Sequence, residues 1–101
     1  MDNFNQSSFN QASLKALERR IDLYDQSKIG LPQLSQDLSS IVSEMIDIPI
    51  NWHHKFMKYW GVVEEVNALA LEKDSCKPLP SDQKILQKAL AELRVLIHEE
   101  Q

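Results

Sequence analysis

The residues of this chain that could do chemistry are few: the adjacent histidines His53 and His54, the carboxylates Glu64 and Glu65, the serines Ser39 and Ser40, and the lone cysteine Cys76. Neighbours on a helix point about 100° apart, so His53 and His54 do not share one ligand position. His98 and Cys76 complete no zinc-ligand spacing with them. Glu64 and Glu65 are followed by no E-x-x-H, and glycosidase-type chemistry needs carboxylates held across a cleft. Cys76 has no fixed histidine partner to make it a thiolate. Ser39 and Ser40 lack the strand-to-helix elbow that exposes a hydrolase serine. The expectation is a protein without catalytic activity, cofactor or bound metal, with one histidine at the edge of a core and the other in water.

Charge is more informative. Residues 31 to 50 carry Asp37, Glu44 and Asp47 and no Lys or Arg. Elsewhere acids and bases nearly balance, so most of the net charge of −4 sits in this stretch. On a helix, Asp37 and Glu44 are seven residues apart, about two turns, and share a face. Ser40 lies between them and Asp47 continues the strip slightly to one side. Glu64 and Glu65 begin a second acidic patch on the next predicted helix. Such a strip is either an ordinary solvated face or a docking surface for a basic protein. The absence of any basic residue over twenty positions, where intrahelical pairing is usual, favours docking. The same negative charge argues against direct nucleic-acid binding, which needs clustered Lys and Arg.

The elements that must position these residues follow from apolar periodicity. Residues 1–11, rich in Asn, Gln and Ser, read as a flexible tail, and residues 12–101 as one helical domain. Leu14, Leu17, Ile21 and Tyr24 recur at three- and four-residue steps. Gly30 then offers a turn or helix C-cap. Leu31, Leu34, Leu38, Ile41, Val42 and Met45 make a second stripe that starts with Pro32 and stops at Ile48-Pro49-Ile50. A shorter second helix, with residues 46–50 as an extended connection, would take Asp47 off the strip. Asn51 is the expected N-cap of a third helix bearing Trp52, Phe56, Tyr59, Trp60, Val63, Val66 and Ala70. Gly61 inside it marks a close helix crossing or a bend. After the linker 74–80, Ser81 is the expected cap of a fourth helix with Ile85, Leu86, Ala89, Leu90, Leu93, Leu96 and Ile97 inward. The fold class is all-α, a compact antiparallel four-helix bundle.

Both tryptophans fall within nine residues. Periodicity puts Phe56 and Trp60 in the core. Trp52 and Tyr59 fall at the edge of the stripe, where aromatic side chains can anchor a protein partner. No uncharged run reaches the length of a membrane span, and no basic-then-apolar leader opens the chain. A single cysteine fits a reducing compartment.

The stretch Ile29-Gly30-Leu31-Pro32-Gln33-Leu34 leading to Asp37-Leu38, the pair Trp52 and Trp60 on the following helix, and the Leu-rich last helix together carry a resemblance. From Leu14 to Ile97 the layout resembles small all-helical bacterial immunity proteins, of the kind paired with contact-dependent growth inhibition or related polymorphic toxins. Colicin-DNase immunity proteins are also acidic four-helix proteins, but they carry a Tyr-Tyr pair that is absent here. The resemblance implies a cytoplasmic protein that binds a cognate toxin C-terminal domain, often a nuclease, and masks its basic cleft. Asp37, Ser40, Glu44, Asp47, Glu64 and Glu65 would then face the toxin's Lys and Arg, with Trp52 or Tyr59 as anchor. The alternative is a helical adaptor or homodimeric regulator without catalytic activity, using the same surface.

Overall fold

The computed structural model describes residues 8–72 and 79–100, and within them the chain forms four helices and no strand. These are α1 (Ser8–Asp25), α2 (Leu31–Glu44), α3 (Ile50–Glu72) and α4 (Pro80–His98). Each helix packs against its neighbours in a closed ring: α1 touches α2 and α4, and α3 touches α2 and α4, while the diagonal pairs stay apart. Contacts between helices run in opposite directions along the chain. Asn10 meets Ile46 while Arg20 meets Asp37, and Trp52 meets Leu96 at the far end of α4. The architecture is therefore the expected antiparallel four-helix bundle.

The apolar stripes meet in one core. Leu14, Leu17 and Ile21 of α1, Leu34 and Leu38 of α2, Phe56 and Val63 of α3, and Leu86, Leu93 and Ile97 of α4 are fully enclosed. Each such side chain contributes on the order of 1.5–3 kcal/mol relative to an exposed one. Ile85, expected inward, is instead 54% exposed, because Leu86 rather than its neighbour faces the bundle axis. Among the described residues no helix is long and apolar enough to cross a membrane.

The joints differ from expectation at several points. Helix α1 begins at Ser8, so residues 8–11 are helical rather than tail, and Asn10 is fully buried. Residues 1–7 of the expected tail, Cys76 and most of the 74–80 linker lie outside the described residues. Ser27, not Gly30, ends α1 in the left-handed conformation (φ 61°). The Ser27 N–H donates to the Tyr24 carbonyl and the Lys28 N–H to the Leu23 carbonyl, the paired bonds of a Schellman closure. Gly30 is the N-cap of α2 in extended geometry, and its carbonyl accepts the first helical bond from Leu34. At α3 the Pro49 carbonyl takes that role for His53, so Asn51 lies inside the first turn rather than capping it. Similarly, Leu79 rather than Ser81 caps α4, with Pro80 in the first turn where its missing N–H is not needed.

Candidate functional site

On α2, Asp37 and Glu44 do face the same side, but their surroundings differ. Gln33 Nε2 donates to Asp37 Oδ1 at 2.7 Å, and Arg20 of α1 lies 3.6 Å from Asp37 Oδ2. The Asp37 charge is thus largely answered within the bundle. The missing basic residue is supplied by a different helix. Glu44 is exposed at the C-terminal end of α2, where the last turn holds no basic residue. A negative charge is unfavourable there, because the unpaired carbonyls of the helix end are themselves electronegative. Asp47 is off the strip: α2 stops at Glu44, and Asp47 is exposed in the following turn at φ 53°.

That turn is held from a distance. Asn10 of α1 grips both backbone groups of Ile46, with Nδ2 donating to the carbonyl at 2.7 Å and Oδ1 accepting from the N–H at 3.1 Å. The side-chain amide substitutes for the hydrogen bonds that the end of α2 no longer makes. It fixes where α3 starts relative to α2.

The aromatic residues are mostly structural. Trp52 is 5% exposed, stacks on Phe56 with ring centroids 5.7 Å apart, and donates its indole N–H to the Leu96 carbonyl at 3.2 Å. It ties α3 to α4 and presents no free anchor, contrary to its expected place at the edge of the stripe. Tyr59 is half-buried against the core, with Lys58 Nζ 5.6 Å from its ring centroid. Trp60 is half-buried rather than enclosed, and its indole N–H donates to the Ser35 carbonyl at 2.9 Å across the α2–α3 seam. A homodimer closed by burying an aromatic face would find little of that face free.

Between α2 and α3 runs a groove of about 370 Å³, lined by Ser35, Ser39 and Ser40 on one side and Trp60, Glu64 and Asn67 on the other. Two of the expected partner-binding residues, Ser40 and Glu64, meet here. Glu65, adjacent on α3, is exposed. Glu44, one turn beyond Ser40, extends the same outer surface. Sequence reading missed Ser35, Trp60 and Asn67 as groove residues. For the α2 side a signal was present in the serines Ser35, Ser39 and Ser40, whose four- and five-residue spacing lines one flank of a helix.

The remaining charged clusters are braces between helices. Arg94 of α4 forks onto Asp22 and Asp25 of α1 at 2.5 and 2.6 Å. Burial alone would lower the Arg94 pKa, but the two carboxylates outweigh it and hold it above its ordinary value. Beside them, burial raises the Tyr24 phenol above 10.0; the Asp25 charge adds to this and a hydrogen bond with Gln83 opposes it. His98 Nε2 lies 2.9 Å from Glu18 Oε2. His53 is half-buried and His54 exposed. Among the described residues no three His, Cys, Asp or Glu side chains converge as a metal ion requires.

No protein-family model, curated protein or solved structure matches this chain.

Proposed function

We propose that the chain is a helical inhibitor of the immunity type, acting in the cytoplasm. In this reading it neutralises a cognate toxin domain by covering a basic cleft with the outer surface of α2 and α3. One observation supports this above the others. Glu18 of α1 lies against His98 of α4, and Asp22 and Asp25 of α1 and Asp37 of α2 have cationic partners on another helix. Glu44, Glu64 and Glu65 have none among the described residues, and Glu44 occupies a helix end that disfavours it. Unanswered carboxylates on the outer surface of α2 and α3 steer a basic protein toward that surface and help to fix its register. Inhibition would be steric and electrostatic, without turnover.

The test is affinity capture from the source cell's lysate, washed at low and high salt, with the double variant Glu44→Lys/Glu65→Lys as second bait. Recovery of one basic toxin domain near one-to-one, weakened by salt and lost with the variant, is the expected result. Equal recovery by both baits would refute the electrostatic mechanism, and recovery of only the chain itself would refute the immunity reading.

The homodimeric alternative has one observation of its own. Ile50 and Met57 are 68% and 39% exposed on the outer side of α3, and a Cβ at Gly61 would meet open space. Of the two roles expected for Gly61, a close crossing or a bend, the crossing does not occur inside the bundle. A second copy lying along this side would show as a dimer in sedimentation equilibrium.

A further inference from the structure

The α2–α3 groove carries one carboxylate and no cation. Ser35 is 3% exposed, and its Oγ has no hydrogen-bond partner. Asn67 Oδ1 is likewise closed off from solvent and without a partner. Buried oxygens of this kind are normally satisfied, and two beside one groove mark a place built to receive donors. Trp60 has already committed its indole N–H to the Ser35 carbonyl, so what it has left to offer is its ring. Glu64 and Asn67 lie one and two turns beyond Trp60 on the same side of α3, and Glu64 is in no ion pair among the described residues.

We propose that this groove receives the guanidinium group of an arginine side chain presented by a basic protein partner. Guanidinium is flat and weakly hydrated, with five donors and no acceptor. One edge can pair with the Glu64 carboxylate and its face can lie on the Trp60 ring, while the remaining donors meet Asn67 and Ser35 once those two side chains rotate into the groove. A lysine ammonium offers a compact, strongly hydrated charge without a flat face. An anion such as phosphate would face Glu64 and be repelled. The small serines of α2 leave the groove open, where longer side chains would fill it.

That the arginine belongs to a protein rests on the immunity reading above; the chemistry of the groove does not, and it can be tested separately. The full chain is titrated with N-acetyl-arginine amide, and in parallel with the lysine and uncharged citrulline amides. The two tryptophan indole N–H resonances are followed by NMR. Arginine amide should shift the Trp60 indole saturably and leave Trp52 unmoved. Citrulline amide should have no effect, and lysine amide should bind about fivefold more weakly or worse. Glu64→Gln should weaken arginine binding by about fivefold or more, a loss typical of a charge-assisted pair. Gln36→Lys, which places a cation at the rim of the exposed flank, should abolish it. A still Trp60 indole, an equal response to citrulline, or unchanged binding in both variants would overturn the proposal. Arginine binding without capture of a toxin domain would keep the groove and sink the immunity reading. Capture without arginine binding would do the reverse.

Discussion

Replacing Asn10 tests how the α2–α3 surface is held in place. Asn10→Ala leaves the Ile46 N–H and carbonyl without the amide that now satisfies both. An unpaired buried backbone group costs about 1–3 kcal/mol. Ile46 is 51% exposed, so water reaches part of the turn, and the lower half of that range applies to each group. The two backbone groups together give a loss of about 2–4 kcal/mol, and a fall in Tm of roughly 10–20 °C for a domain of this size.

Asn10→Asp sharpens the test. The new carboxylate can still accept from the Ile46 N–H, but its second oxygen now faces the Ile46 carbonyl. Burial and that carbonyl both raise the introduced group's folded pKa above its unfolded value of about 3.9. A raised folded pKa means that stability is lost as pH rises through it and recovered as pH falls, when the protonated acid can donate to the carbonyl. Urea denaturation followed by circular dichroism at pH 7 and pH 4.5 should show the gap to the wild-type chain narrowing in acid. A cost below about 0.5 kcal/mol for Asn10→Ala, typical of an ordinary surface site, would refute the clamp. So would a gap for Asn10→Asp that ignores pH.

Other expectations follow from single positions. Gly61→Ala should stabilise the chain by about 1 kcal/mol, since the added methyl meets open space on an exposed helix interior; thermal melting checks this, and loss of stability would mean that α3 is packed differently. Ser27→Gly should gain about 0.5 kcal/mol by relieving the left-handed residue, net of the extra chain entropy glycine carries, whereas Ser27→Val should lose stability. Trp52→Ala should cost about 3–5 kcal/mol, whereas Trp60→Phe, losing one hydrogen bond, should cost about 1 kcal/mol; similar losses for the two would contradict their different burial. The raised Tyr24 pKa makes the folded state hold its proton more tightly, so stability falls as pH rises above 10.0, where the unfolded phenol ionises first. A Tyr24→Phe variant should flatten that alkaline decline in a series of urea midpoints.

Much of the fold was legible in the residue order. The Leu14–Leu17–Ile21 and Leu31–Leu34–Leu38 spacings define helices whose apolar sides must be buried together, whatever the neighbours turn out to be. Short connections then force adjacent helices to run antiparallel. Helix ends were less legible. Ser27 takes a conformation usually given to glycine because the tertiary fold closes α1 there, two residues before Ile29 packs against the core.

The candidate site divides along the same line. That the α2 stretch is acidic and that α3 continues with two glutamates is a property of the sequence alone, because charge and helical phase are local. Which of those charges stay unanswered is not local. Arg20 is seventeen positions before Asp37, and only the packing of α1 on α2 brings them within reach and removes Asp37 from the free acidic surface. Trp52 looked peripheral on the helix, but the position of α4 encloses it and gives its N–H a partner in Leu96. The groove of Ser35, Trp60, Glu64 and Asn67 exists only because two helices from different parts of the chain lie side by side. Periodicity within one helix tells which way a residue points; what it meets there is decided by the other helices.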